Sequence, residues 1–292
     1  MTATTSSLLG LMAETAIHAG ASGSSGVVDL PIMREHHTGW PVVFGSAVKG
    51  AFRASAEARM DPEDVFALFG PDTGNASDHA GALLISDARL MLLPVRSLTS
   101  QYRLVTCPDL LRRWRRDCER AGLSAPTPTI PDPEESRALV SDPGKHQQLF
   151  LEEYVFDLEQ ADLGDWVGVL AGLSGRSEAE ISEKLTVVSN DQFAHLCQAA
   201  IPVQPHVAID NATKTVRDGA LWYEESLPPE TLLYTLVSAQ RSRRDSHSLS
   251  AEDVLASLED GLIGAHPYVQ LGGNETTGMG WCRIESFGGG DQ

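Results

Sequence analysis

The chain has 292 residues, enough to bury one large core or two moderate ones, and its 42% hydrophobic and 21% charged content excludes a disordered segment. A formal charge of −18 excludes a nucleic-acid binder that works through overall positive charge. Charge is local, however. Eight arginines lie between Arg89 and Arg120 against Asp109, Asp117 and Glu119, while acids gather at Asp132–Glu135 and at Glu224-Glu225, so a basic surface on an acidic body stays open.

Leu9, Leu11, Ala13, Thr15 and Ile17 alternate with Gly10, Met12 and Glu14, which predicts a first strand. The apolar stretch Leu8–Ala13 lacks a basic region before it and meets Glu14 too soon for a signal peptide. No run approaches a membrane span, so a cytoplasmic protein without a membrane partner is expected. A Gly/Ser-rich loop follows His18-Ala-Gly20, and Ser46 is the expected cap of a helix burying Val48, Ala51, Phe52 and Ser55, with Lys49, Arg53 and Arg59 off that face. Ala82–Pro94 reads as a central strand carrying Asp87 and Arg89. Pro108-Asp109 opens a helix that buries Leu110, Leu111, Trp114 and Cys118. Ala125–Gly144 has the composition of an insertion, and Leu149–Leu158 reads as a strand.

Further on, Asn190 or Asp191 is the expected cap of a short helix through Phe193, Leu196 and Cys197. Strand-like residues on both sides of Asp210-Asn211 predict a projecting hairpin over Val203–Trp222. Thr231–Val237 reads as a strand, and Ser250-Ala-Glu-Asp253 as a capping box before Val254, Leu255, Leu258 and Leu262. The glycine-rich Gly272–Gly280 closes on a last strand from Trp281. Strands and helices thus alternate irregularly, which predicts an α+β fold of ferredoxin-like type with insertions. The cysteines at 107, 118, 197 and 282 have no metal-ligand spacing and read as buried small hydrophobes in a reducing compartment.

The densest chemistry lies in Gly26-Val-Val-Asp-Leu-Pro-Ile-Met-Arg-Glu-His-His-Thr-Gly39, a polar loop of the kind that carries function. His18, Asp29, His36 and His37 suit a general acid/base set or a metal site, although no helical ligand pair supports structural zinc. A lone aspartate in a loop is also an ordinary solvated residue. It is enough for a hard divalent cation when phosphate oxygens complete the shell. Gly45–Gly50 fails the phosphate-loop spacing, and Gly272–Gly280 precedes a strand instead of opening a helix, so neither is a nucleotide fingerprint. Both can bring backbone N–H groups against a phosphodiester chain, and both can be plain turns. Tyr223, Glu224 and Glu225 stand at the foot of the hairpin, where solvent-facing acids are also ordinary. The Arg112–Arg116 cluster reads as a solvated helix face or as a groove. Serine-hydrolase, zincin and kinase motifs are absent.

Taken in order, His18-Ala-Gly20, Gly26–Ile32, Arg34-Glu35, His37-Thr-Gly39, Gly45-Ser46, Lys49-Gly50, Arg53, Phe69-Gly70, Gly81-Ala82, Ser86–Arg89, Pro94–Ser97, Val105–Pro108, Gly219–Glu225 and Gly272–Gly280 resemble the backbone subunits of type III-B CRISPR (Cmr) effector complexes, within the RAMP superfamily. The resemblance spans nearly the whole chain. It implies a modified ferredoxin-like, RNA-recognition-motif-like RAMP fold with helical insertions and a hairpin thumb. The expected layout is a single domain over 1–292, with an inserted or lid region at 108–165 and the thumb at 200–222.

It also implies a subunit that stacks with copies of itself and other Cmr subunits along a guide CRISPR RNA and cuts complementary target RNA with Mg²⁺ or Mn²⁺. Base pairing would read the sequence while the protein holds the duplex, as in other guided systems. Asp29 matches the family's catalytic, metal-holding loop aspartate. His18, Tyr223 and Glu225 are further catalytic candidates, the last two lying where an adjacent subunit's thumb approaches. Glu224 and Glu225 stay unranked, because a one-residue slip exchanges them. Ser46, Lys49, Arg53, Gly273, Gly278 and Gly280 are the implied RNA-binding positions. With 4 lysines against 18 arginines, phosphate contact would fall to arginine. The rivals are a non-catalytic guide-RNA scaffold, the type III-A counterpart, and a metal-independent guide-maturing nuclease.

Overall fold

β1 (Thr5–Ala13) is buried from Ser7 to Ala13 on both faces, which is why its sequence reads as a nearly unbroken apolar run. The computed structural model describes residues 4–21, 23, 26–72, 79–124, 126–244 and 247–287. Ser22, Ser24 and Ser25 of the Gly/Ser-rich loop, and Ala125 of the expected insertion, lie outside the described residues. After β1 come β2 (Val42–Val43), α1 (Gly45–Glu57), α2 (Pro62–Phe69), β3 (Leu83–Ile85), β4 (Ala88–Ser97), β5 (Gln101–Thr106) and α3 (Pro108–Ala121). The middle holds β6 (Arg137–Val140), β7 (Gln148–Leu151), β8 (Tyr154–Gln160), α4 (Gly164–Ser174), α5 (Glu178–Lys184), β9 (Leu185–Val187) and α6 (Asn190–Ala199). The last part adds β10 (Val203–Ile209), β11 (Val216–Glu225), β12 (Leu232–Ala239), α7 (Ala251–Ala256, continued as a π-helix over Ser257–Ile263), β13 (Tyr268–Gln270) and β14 (Trp281–Phe287).

Four strands form the heart of the sheet in the order β14-β1-β12-β4, all antiparallel. With α1 between the first and second of these in sequence and α7 between the third and fourth, this is the ferredoxin-like arrangement. The strand alternation sorts side chains into two cores. Leu9, Leu11 and Ala13 join Val48, Phe52 and Val254 on the α1/α7 face. Leu8 and Met12 join Trp114, Trp166 and Leu170 on the α3/α4 face. There Trp114 and Trp166 meet edge-to-face with centroids 5.6 Å apart, a contact worth roughly 0.5–1.5 kcal/mol beyond burial. Asp117 of α3 accepts from Arg89 of β4 at 2.6 Å and from the hydroxyl of Tyr234 of β12 at 2.9 Å, which explains the arginine in Ser86–Arg89. Burial, followed by the Asp117 charge, pushes the Tyr234 hydroxyl well above its ordinary pKa.

Beyond β4 the sheet continues through β5, β9, β6, β8 and β7, and β7 returns to β4 at Ser97↔Leu151. The segment expected as an insertion or lid, 108–165, therefore contributes α3 to the second core and β6–β8 to this extension. Leu149–Leu158 is a tight hairpin instead of one strand, because Glu152 takes a positive φ of 49°. Ala82–Pro94 breaks at Ser86-Asp87 into β3 and β4, and the break has a purpose: Asp87 Oδ1 accepts the Gly45 N–H at 2.8 Å. A neighbouring strand thus satisfies the start of α1, and Ser46, one residue inside the helix, does not cap it. Ser189 caps α6, one residue before the expected position, while Ser250 and Asp253 form the expected capping box.

β10 and β11 stand apart as a two-stranded hairpin. Asp210 Oδ1 accepts the Thr213 and Ala212 N–H groups, both at 2.9 Å, and these bonds hold its carboxyl below the usual range. Val203, Val207, Ile209, Val216 and Leu221 are exposed along it. Among the described residues no helix is long and apolar enough to cross a membrane.

All four cysteines are free and buried. Burial pushes the Cys107 and Cys118 thiols from an ordinary 9.0 up to about 12, and Cys197 and Cys282 higher still. No thiol should react with a disulfide reagent at pH 8 until the protein is unfolded, when four should. The native thiols keep protons that the unfolded chain loses, so this contribution to stability is present below about pH 9 and is lost as pH rises toward 12. A pH series of denaturant midpoints measures it.

Candidate active site

Three backbone segments converge after β1. Gly20 pairs with Ile32 across the loop, with Ala21 N–H to Pro31 O and Met33 N–H to Ala19 O both at 2.8 Å. The outer limb then meets the root of β11: Leu30 N–H donates to Tyr223 O, and Glu225 N–H donates to Leu30 O, each at 3.0 Å. Asp29 stands at this junction. Its Oδ2 accepts the Tyr223 N–H at 2.8 Å and its side chain is exposed. The Asp29 carboxylate and the Tyr223 backbone therefore meet within a single chain, at the foot of its own hairpin.

The two glutamates at the root are buried and engaged. One Glu225 oxygen pairs with the Arg34 guanidinium and the other accepts the Ile32 N–H at 3.0 Å. Glu224 accepts from the Asn274 side-chain amide and lies 3.7 Å from His18 Nδ1. His18 Nδ1 is 2.7 Å from the Glu225 carbonyl oxygen. A carbonyl can only accept, so Nδ1 carries the proton and Nε2 is the basic nitrogen of the neutral ring. Gly273 N–H donates to His18 O at 2.9 Å, so the glycine-rich loop is built onto the residue that ends this strand connection.

That packing changes the expectation for the glycines. The N–H groups of Gly273, Gly278 and Gly280 are already given to His18 O, Glu275 O (2.9 Å) and Ala16 O (2.7 Å), and Gly280 is buried. Gly273 and Gly278 offer exposed backbone for close approach, but not free donors. On α1, Ser46 is exposed and Lys49 is half-buried. Burial, then Arg53, lowers the Lys49 ammonium pKa. Arg53 is bound to Glu57 (2.7 Å), Asp72 (2.8 Å) and the Gly70 and Pro71 carbonyls, so it fastens α1 to the segment after α2.

Two arginines of the cluster are likewise committed. Arg113 forks onto Glu35 at 2.5 and 3.0 Å and lies 4.9 Å from the Trp40 ring centroid, anchoring the far end of the loop. Arg112 pairs with Asp109 at 2.8 Å. His36 and His37 ride on the exposed turn closed by Gly39 N–H to Glu35 O. Among the described residues no three His, Cys, Asp or Glu side chains converge as a metal cage. Sequence reasoning assigned no role to Arg34, Asn274 or Asp87. Only the charge density of the loop and the place of Arg34-Glu35 in the family resemblance pointed to Arg34.

Residues 11–283 match the RAMP superfamily. The chain belongs to that superfamily. This RAMP chain is 32% identical over 283 residues to the CRISPR system Cmr endoribonuclease Cmr4 of Pyrococcus furiosus, covering 95% of this chain and 94% of that protein. Its fold matches the crystal structure of oligomeric Cmr4 from the same organism with a TM-score of 0.73 and 27% identity, over 98% and 99% of the two chains. A chain of the type III-B Cmr-beta complex bound to cognate target RNA shares the fold at a TM-score of 0.75 and 19% identity, over 96% of each chain. The expected α+β, modified ferredoxin-like RAMP fold is thus the one observed.

Proposed function

We propose that this RAMP chain is a backbone subunit of a type III-B CRISPR effector that acts in the cytoplasm. It stacks with further copies and with other Cmr subunits along a guide CRISPR RNA and cleaves the paired target RNA. The observation that carries this reading is the exposed Asp29 carboxylate, fixed by the Tyr223 N–H at the root of a projecting hairpin, in a chain similar along its length to a named Cmr endoribonuclease.

A single carboxylate cannot cage a resident ion, but it suits a cation whose remaining ligands are phosphate oxygens and water. Asp29 would hold Mg²⁺ or Mn²⁺ in that way, and such an ion, when bound, neutralises charge developing on the phosphate. The chain's own residues do the rest. The hairpin root holds the target nucleotide so that its 2′-oxygen lies in line with the scissile phosphate. The 2′-oxygen bonds to phosphorus as the bond to the next nucleotide's 5′-oxygen breaks. His18 Nε2 takes the 2′-hydroxyl proton, and the 5′-oxygen leaves with a proton from the Tyr223 hydroxyl or from water. The ends are a 2′,3′-cyclic phosphate and a 5′-hydroxyl. The Glu225 carboxylate is engaged by Arg34 and Ile32, so it holds the site instead of transferring protons.

The test is cleavage of a labelled complementary RNA by the reconstituted complex. Regularly spaced cuts should appear with Mg²⁺, vanish with EDTA, and vanish at any position where the target carries 2′-deoxyribose, with binding retained. Binding without cutting would make the subunit a scaffold. Cuts that survive EDTA would remove the metal from the reading.

A further inference from the structure

The guanidinium of Arg34 joins four parts of the site. Its Nη1 donates to Gly39 O at 3.0 Å and to Cys197 O at 2.9 Å, and its Nη2 pairs with the Glu225 carboxylate. It thereby ties the limb that leaves Asp29, the turn that follows, the last part of α6 and the root of the hairpin. Glu225 returns to the same limb through the Ile32 N–H. The Arg34 and Glu225 side chains are 25% and 9% exposed, so losing either partner leaves a largely desolvated charge behind. Arginine suits this place because its rigid planar fork reaches two carbonyls and a carboxylate at fixed angles, where lysine would bring a point charge without that geometry.

The position of the clamp relative to Asp29 gives it consequence. Asp29 contacts the hairpin at Tyr223, two residues before Glu225, while Ile32 and Arg34 follow Asp29 on the same limb. The register between limb and hairpin is therefore fixed at three points: the exposed Asp29 contact, the backbone bonds of Leu30 to Tyr223 and Glu225, and the Arg34–Glu225 contact, whose side chains are largely buried. We propose that Arg34 is a positioning residue that acts through Glu225 to set where the Asp29 carboxylate stands against the hairpin root. This inference rests on the reading of Asp29 as the residue that supports cleavage. Displacing a reacting group by about 1 Å can cost on the order of 100-fold in rate, so the clamp bears on rate more than on RNA affinity.

The assembled complex with guide RNA is prepared as wild type, Arg34→Met, Arg34→Lys, Glu225→Gln and Asp29→Asn. Four quantities are read: target binding, single-turnover cleavage at saturating target, melting temperature, and hydrogen exchange of peptides spanning 27–34. Arg34→Met should bind target within about twofold of wild type, cut roughly 10- to 100-fold more slowly and exchange faster across 27–34. Arg34→Lys should fall between the two, because it keeps the charge and loses the fork. If Arg34→Met does not assemble, Glu225→Gln keeps the shape and the Ile32 acceptor, and is read against the same expectations. Wild-type cutting by Arg34→Met beside a dead Asp29→Asn overturns the positioning role alone. So does a rate loss matched by equal losses in binding and melting temperature, which is what a merely structural pair gives. Normal cutting by Asp29→Asn removes the reading underneath. Unchanged exchange across 27–34 in Arg34→Met overturns the clamp whatever the rates.

Discussion

Asp29→Asn should abolish target cleavage while leaving guide binding, stacking and stability as they are. The substitution is nearly isosteric, and the amide oxygen of asparagine can still accept the Tyr223 N–H that fixes the loop. What disappears is one negative charge at an exposed position. A surface change that keeps its hydrogen bond usually moves stability by less than about 0.5 kcal/mol. Removing a preorganised electrostatic group from a reaction centre costs on the order of 100- to 1,000-fold in rate. The two scales are well separated, so single-turnover cleavage and a melting curve on the same preparation decide the matter. Asp29→Ala tests the geometry as well, because it also releases the Tyr223 N–H and should loosen the contact between limb and hairpin. Full cutting by the asparagine variant would transfer the chemistry to another group, with His18 the next to replace.

What the sequence made legible follows from which interactions are local. The first strand, the capping box at Ser250 and the hairpin about Asp210 are written in residues a few positions apart, and each was predictable from spacing. Helix α4 was not, because Trp166, Val167, Val169, Leu170, Ala171 and Leu173 are buried nearly all round it. A helix with no polar face carries no 3.6-residue alternation to detect. The start of α1 failed for another reason: its N–H is satisfied by Asp87, 42 residues away, so the nearby Ser46 was a decoy. Asp29 was singled out by the loop's density of charge and by resemblance, but its contact with Tyr223 spans 194 residues. The Glu225–Arg34 pair spans 191. From sequence both glutamates at the hairpin root were interchangeable acids. In the fold one holds a guanidinium and the other an amide, and that division appears only when the three segments are brought together. The same closure bears on how much positive surface is free. Arg34, Arg53, Arg89 and Arg113 all end in ion pairs with acids of this chain, so a count of arginines overstates the positive surface left for RNA.

The second large effect should come from Gly272→Ala. Gly272 has a φ of +83°, a region that costs an L-residue about 1–2 kcal/mol. An added Cβ would also overlap the His18 carbonyl oxygen, an atom of the backbone that cannot swing aside. That oxygen accepts the Gly273 N–H, so relieving the clash means breaking the bond that seats the glycine-rich loop on His18. Overpacking of this kind adds about 1–3 kcal/mol. Gly278→Ala separates the two contributions. Gly278 has nearly the same φ, +82°, and a Cβ there meets nothing within 4 Å, so it carries the conformational cost alone. Denaturant midpoints should therefore show Gly272→Ala destabilised beyond Gly278→Ala by roughly 1–3 kcal/mol. Because the displaced oxygen belongs to His18, whose ring is held by the Glu225 carbonyl, the loss should reach the site. Gly272→Ala should slow cleavage even at temperatures where it is fully folded, and Gly278→Ala should not slow it to the same degree. Equal destabilisation by the two variants would mean that the loop yields at another point and that its seat on His18 does not fix it.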